Sequence, residues 1–308
     1  MSNKQFKGIM PALITPFYED GSVREDAVRK LIDYQLSMGA KGFYICGSTG
    51  EGPASSEATR MQMAKCVCEH IASKNLDPKP VVINHVGAPD ALSAQRLAKH
   101  AQEVGCDAIS SVPPTFYYNY SEDEIFDYYK ALNDACDLPL LVYATGMFKQ
   151  ADVSPFIDRL MKLKNVIGLK FTRYNYYEMR KVIELNGGDI NVINGPDEML
   201  ICGLTMGADA GIGSTYNVMT GQFVELYRRF TSGDFEGARQ MQYKINHCVS
   251  VLIKHGVFPS IKAILNKQGF DVGYSAFPGK RYTPEQEAAL MKDLDEIHFF
   301  EEYWGKTC

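Results

Sequence analysis

The sequence has no Cys-x-x-Cys pair, no block of lysine and arginine, no run of 18 apolar residues and no His-Glu-x-x-His element. Each absence removes a class of function. Without a basic patch, and with a formal net charge of −5, the electrostatic footprint of a nucleic-acid binder is missing. Without a long apolar run, no segment is expected to span a membrane. The first ten residues lack the apolar stretch of a secretory leader, so a cytoplasmic location is expected. The eight cysteines stand at 46, 66, 68, 106, 136, 202, 248 and 308. They are scattered and mostly sit inside apolar runs, which reads as reduced thiols serving as small core residues. The six histidines, at 70, 85, 100, 247, 255 and 298, form no ligand cluster, and only His85 falls near the end of an apolar run. Neither a metal nor any other cofactor is expected.

What is present is a 308-residue chain with 45% hydrophobic and 22% charged residues, a globular balance whose core needs no disulfide or metal. Short apolar runs alternate eight times with longer amphipathic segments. The runs cover 8–15, 42–46, 80–86, 108–112, 138–144, 166–172, 190–194 and 210–214. Between them, segments such as 24–38, 57–72, 91–104, 122–135 and 176–185 have helical periodicity. In 122–135, Ile125, Phe126, Tyr129 and Leu132 recur at the spacing of one helix face. Strand–helix alternation implies a parallel sheet covered by helices. Eight units within about 230 residues fit a closed (β/α)8 TIM barrel. Residues 1–232 are assigned to that barrel and 233–308 to a C-terminal helical extension, with helices over 235–254, 260–268 and 284–303.

Barrel active sites are built at the C-terminal ends of the strands. The sixth strand reads Val166-Ile167-Gly168-Leu169-Lys170-Phe171-Thr172. Alternation sends Ile167, Leu169 and Phe171 to the helix layer and Gly168, Lys170 and Thr172 into the barrel. A lysine there loses hydration, which disfavours the ammonium and leaves an amine able to attack a carbonyl. The alternative is a structural lysine paired with a carboxylate or reaching out to solvent. On the fifth strand, Leu141 and Tyr143 share one face, and a phenol beside an amine can relay protons; a core tyrosine is the alternative. After the second strand, Gly47-Ser48-Thr49-Gly50-Glu51-Gly52 offers hydroxyls and N–H groups suited to an anion, or simply a tight turn with a helix cap. The spacing is neither a dinucleotide fingerprint nor a P-loop. The seventh strand ends in Asn194-Gly195-Pro196-Asp197-Glu198, whose carboxylates could hydrogen-bond sugar hydroxyls or hold a metal. The eighth ends in Gly211-Ile212-Gly213-Ser214-Thr215.

Taken together, these motifs resemble the dihydrodipicolinate synthase / N-acetylneuraminate lyase family of pyruvate aldolases. The resemblance runs from Gly-Ile-Met-Pro-Ala-Leu-Ile-Thr-Pro-Phe at 8–17 to the C-terminal helices. It is carried by Gly47-Ser48-Thr49-Gly50-Glu51, Tyr143 and Gly168-Leu169-Lys170. It implies that Lys170 forms a Schiff base, that Tyr143 relays the proton, and that Ser48 and Thr49 hold a pyruvyl carboxylate. It further implies a homotetramer in which Tyr117 completes a neighbouring subunit's site. Several features look like the sialic acid lyase branch: serine in the Gly-Ser-Thr-Gly-Glu run, Lys-Phe-Thr at 170–172, Asn-Gly-Pro-Asp-Glu at 194–198, the run at 207–217, and Gly256-Val257-Phe258. That branch implies a sugar-binding set of Thr172, Gly195, Asp197, Glu198, Gly213 and Ser214, with sialic acid, pyruvate and N-acetylmannosamine as small-molecule substrates. The synthase branch places an arginine shortly after the tyrosine; residues 144–149 contain none. Where the family usually has Tyr-Asn-Ile/Val-Pro, this chain has Tyr143-Ala144-Thr145-Gly146. That change removes a rigid turn and a polar side chain beside the tyrosine. Dihydrodipicolinate synthase, a 2-keto-3-deoxy sugar acid aldolase and a non-catalytic barrel that senses a keto acid or sialic acid are the competing readings.

Overall fold

A computed structural model describes residues 2–114, 118–276 and 278–305. The strands are β1 (Gly8–Pro11), β2 (Gly42–Ile45), β3 (Val81–His85), β4 (Ala108–Ser111), β5 (Leu140–Ala144), β6 (Val166–Phe171), β7 (Asn191–Asn194) and β8 (Ala210–Gly213). Each is followed by a helix of the outer layer: α1 (Glu25–Ser37), α2 (Glu57–Ser73), α3 (Ala91–Glu103), α4 (Glu122–Ala135), α5 (Ser154–Leu160), α6 (Tyr176–Ile183), α7 (Leu200–Met206) and α8 (Tyr216–Thr231). All strand pairs are parallel, β1 pairs with β8, and an Ala12–Tyr44 bridge closes β1 onto β2. The architecture is a TIM barrel carrying further helices α9 (Phe235–His255), α10 (Val257–Lys267), α11 (Pro284–Glu296) and α12 (Phe299–Glu302). No single helix among the described residues is long and apolar enough to cross a membrane.

The helices start where local chemistry says they should. On α4 the Ser121 hydroxyl accepts from the Glu124 N–H, and the Glu124 carboxylate accepts in return from the Ser121 N–H at 2.7 Å, a reciprocal cap that satisfies two orphan donors. Its buried face is Ile125, Tyr128, Tyr129 and Leu132. Phe126, expected on that stripe, is half-buried instead, with the Arg159 guanidinium 4.2 Å over its ring.

Two apolar layers result from strand alternation. The larger lies between the strands and the helices; the smaller fills the barrel with Met10, Tyr44, Ile83, Leu141, Tyr143, Ile167, Ile193 and Ile212 among others. Ile167 is a correction to the simple alternation, which sent it outward with Leu169 and Phe171. Between β5 and β6 the register slips at Leu140/Leu141, so that Leu140 pairs with Val166 while Leu141 pairs with Gly168. This bulge shifts the pleat by one residue. Ile167 therefore joins the interior, while Leu169, Lys170 and Phe171 keep the faces expected of them.

Candidate active site

Lys170 stands next to last in β6, directly paired with Tyr143 on β5 and with Ile193 on β7. It is 5% exposed. Its Nζ lies 4.2 Å from the Tyr143 ring centroid and 4.5 Å from that of Tyr44, within cation–π range of both. Among the described residues no carboxylate forms an ion pair with it. A lysine buried without a counter-ion is costly to keep for structure alone, which weighs against the structural reading.

The Tyr143 phenol responds to this neighbour. Burial pushes it up, but the Lys170 charge and polar contacts from Lys170, Ser48 and Thr172 outweigh burial and leave it below the ordinary tyrosine value. His85, at the end of β3, stands edge-on to Tyr143 with centroids 6.0 Å apart. Burial, then the charges of Arg60 and Lys170, hold its imidazole well below the usual range, and Nε2 accepts from the Val112 N–H at 3.3 Å. A neutral imidazole and the Tyr44 ring thus complete the wall around the amine. Tyr44 does not stand out in the sequence, because an inward aromatic on a barrel strand looks like core; His85 stands out only by its place near the end of a strand.

The loop after β2 brings Ser48 and Thr49 to the same end of the barrel. Ser48 is exposed and Thr49 is buried, with Thr49 Oγ1 2.7 Å from Ser214 Oγ at the end of β8. Among the described residues, the N–H groups of Ser48, Thr49 and Gly50 donate to no acceptor. Unused amides grouped beside hydroxyls make an anion cradle.

Asp197 is buried behind the β7 end, its Oδ2 accepting from the Thr215 N–H at 2.7 Å and the Thr215 hydroxyl at 2.6 Å. A side-chain carbon at Gly213 would collide with Asp197 Oδ1, and one at Gly195 with Thr172 Oγ1. Both glycines are therefore needed for close approach. Glu198 is half-buried and accepts from the Tyr174 hydroxyl. The structure thus brings Lys170, Tyr143, Ser48, Thr49, Thr172, Gly195, Asp197, Glu198, Gly213 and Ser214 to one end of the barrel. Tyr117 lies outside the described residues.

Burial raises the Asp197 carboxyl to about 6, with the Thr215 hydrogen bonds opposing it. An acid bound more tightly by its proton in the fold than in the unfolded chain adds stability below its unfolded value of about 4, and that stability is lost as pH rises through 6. Asp197→Asn should remove this dependence. The parent should therefore gain thermal stability relative to the variant, on the order of 3 kcal/mol, between pH 6 and 4. Parallel melting curves across that window would contradict the burial argument.

The helical extension buttresses two of these loops. Gln242 and Asn246 on α9 donate to the carbonyls of Asp197 (3.2 Å) and Glu198 (3.1 Å). Lys262 on α10, nearly fully buried, pairs with Glu51 Oε1 at 2.7 Å and donates to the carbonyls of Thr15 and Tyr274. Lys262 is thus a second buried amine, outside the strand ring, with its charge already matched. Arg173 was also missed. Its guanidinium donates to the Phe148 and Gln150 carbonyls at 2.8 Å and to Glu178 Oε2 at 2.8 Å. It therefore supplies, from the turn after β6, the rigidity that the absent proline would give the loop after Tyr143. The donors so used face two of the chain's own carbonyls and the Glu178 carboxylate.

The sequence matches the profile of the dihydrodipicolinate synthetase family over residues 5–297. The chain belongs to that family. Among curated relatives, N-acetylneuraminate lyase of Rhizobium meliloti is 37% identical over 293 residues, 95% of this chain and 96% of that one. Among solved structures, Proteus mirabilis N-acetylneuraminate lyase superposes with a TM-score of 0.88 at 27% identity, covering 96% of this chain and 99% of that one. A Ruminococcus gnavus sialic acid aldolase, described as a catalytic lysine mutant, superposes with a TM-score of 0.85 at 27% identity, covering 95% of this chain and 96% of that one. Family membership extends across barrel and extension alike, since the matched span runs into α11 and one residue beyond.

Proposed function

We propose that this chain is a carbon–carbon lyase that reversibly cleaves N-acetylneuraminate to N-acetyl-D-mannosamine and pyruvate through a Schiff base on Lys170. The observation that carries the mechanism is the buried Lys170 amine, without a carboxylate partner among the described residues and set against a Tyr143 phenol whose proton it loosens. The observation that carries the substrate is 37% identity to an N-acetylneuraminate lyase across 95% of the chain.

Lys170 Nζ adds to the C2 ketone of the open-chain sugar, and loss of water leaves a protonated imine. The Tyr143 oxygen takes the proton of the C4 hydroxyl while the C3–C4 electron pair moves into the imine, releasing the aldehyde sugar. Protonation of the resulting enamine at C3 and hydrolysis of the imine return pyruvate and the free amine. Ser48, Thr49 and the unused amides of the β2 loop hold the substrate carboxylate. Thr172, Gly195, Asp197, Glu198, Gly213 and Ser214 line the sugar end. The reading includes a cytoplasmic homotetramer in which Tyr117 reaches a neighbouring site.

Pyruvate release from N-acetylneuraminate, and its resynthesis from pyruvate and N-acetylmannosamine, test the reading. Aspartate semialdehyde in place of the sugar should give no dihydrodipicolinate. Turnover of the semialdehyde but not the sugar would move the chain to the synthase reaction. The same preparation should run as a tetramer in light scattering, and an active monomer would overturn the assembly.

A further inference from the structure

We propose that Tyr174 is a specificity-setting positioning residue, fixing the Glu198 carboxylate so that its free oxygen meets a hydroxyl on the polyol tail of the substrate. This rests on the lyase reading given above.

Tyr174 follows Thr172 and Arg173 in the turn between β6 and α6, and its hydroxyl donates to Glu198 Oε1 at 2.6 Å. That length is typical of a charge-assisted bond from a hydroxyl to a carboxylate, about twice the strength of a neutral one. The hydrogen bond it donates to Glu198, then burial, pushes the phenol up to about 12, so Tyr174 remains a donor throughout the working pH range. The ring is 69% exposed, so it contributes little to the core.

Both ends of the contact start from fixed backbone. On one side, Arg173 is anchored by Glu178 and by the carbonyls of Phe148 and Gln150. On the other, Asn246 holds the Glu198 carbonyl and Gln242 that of Asp197. Those bonds fix the Glu198 main chain and leave its side chain free. Among the described residues the Tyr174 hydroxyl is the one hydrogen-bond donor to that carboxylate. An exposed pair of flexible side chains adds little to stability, but a phenol that occupies Oε1 leaves Oε2 as the free acceptor of a carboxylate placed just after the end of β7. An acceptor fixed there before binding selects for a hydroxyl donor, because rotamer entropy is already spent. The moiety it fits is a polyhydroxy chain remote from the keto acid, which Lys170 and the β2 loop engage.

The test is kinetic, on Tyr174→Phe, Glu198→Gln and the double variant. Tyr174→Phe should raise KM for N-acetylneuraminate about five- to tenfold, leave kcat within about twofold and leave the melting temperature unchanged. Half-saturation for borohydride trapping of pyruvate, which has no tail, should also stay at the parent value. In the Glu198→Gln background the same change should have less than about a twofold effect, because the bond it removes has already lost its charge. An unchanged KM, an equal weakening of pyruvate trapping, or full additivity of the two changes would overturn the proposal. If the parent traps pyruvate but cleaves no N-acetylneuraminate, the lyase reading fails and this inference falls with it. If the parent cleaves the sugar and Tyr174→Phe is indifferent, only this inference fails.

Discussion

Lys170→Ala should leave a folded barrel with no lyase activity and no capacity to trap pyruvate. An imine is in equilibrium with free amine and ketone, but borohydride reduces it to a stable secondary amine. The parent, incubated with pyruvate and borohydride, should therefore lose activity and gain one reduced pyruvyl group per chain, on the peptide that contains Lys170. N-Acetylneuraminate should label the same peptide, since its open-chain form presents the same keto acid. Loss of the covalent nucleophile should lower kcat by on the order of 10³-fold or more. The variant should fold because Lys170 carries no ion pair among the described residues, so its removal leaves no carboxylate stranded. Lys262 is the informative alternative target. It is equally buried and its ammonium is lowered by desolvation, yet Glu51 and two carbonyls occupy its donors. A label on Lys262, or activity surviving in Lys170→Ala, would overturn the Schiff-base assignment.

Lys170 stands out in the sequence because a barrel strand constrains its residues so strongly. A cation on the inward face of a strand otherwise made of Val, Ile, Gly, Leu and Phe conflicts with burial unless it has work to do. The loops after β2, β7 and β8 were legible for a related reason, since their glycines and hydroxyls follow apolar runs at the end where barrels do chemistry. The misplacement of Ile167 has a local cause, because period-two reasoning has no means of seeing a bulge that only the neighbouring strand defines. Arg173 and Glu178 read as an ordinary loop arginine and helix glutamate. Their importance lies in backbone groups more than twenty residues earlier in the chain, the carbonyls of Phe148 and Gln150 for Arg173 and the N–H of Val153 for Glu178, and nothing in the local pattern marks such a contact. Lys262, in Ser-Ile-Lys-Ala-Ile-Leu at 260–265, shares the apolar setting of Lys170, but it stands in the helix expected over 260–268, away from the strand ends where barrels do chemistry. The missing turn proline after Tyr143 was visible as a departure. Its replacement by Arg173 was not, since it comes from the turn after the next strand.

Tyr143→Phe should separate imine formation from bond cleavage. The phenylalanine keeps the ring against Lys170, His85 and Tyr44 and deletes only the hydroxyl. Pyruvate and borohydride should therefore still label Lys170 to one group per chain. Sugar cleavage, which needs an oxygen to take the C4 hydroxyl proton, should fall by about 10²- to 10⁴-fold in kcat. The parent phenol should also titrate in a distinctive way. Burial raises it, but the Lys170 charge and the contacts from Lys170, Ser48 and Thr172 lower it further, and a positive neighbour favours the phenolate. An ultraviolet titration should show one phenol that ionises below the ordinary tyrosine range and is absent in Tyr143→Phe. In Lys170→Ala that phenol should move upward, because removing the charge leaves burial as the larger influence. The limb of kcat that rises with pH should follow the same group. A Tyr143→Phe enzyme that cleaves N-acetylneuraminate at the parent's kcat would reduce Tyr143 to a wall of the pocket and require another base, with the His85 imidazole, its centroid 6.0 Å away, the group to vary next.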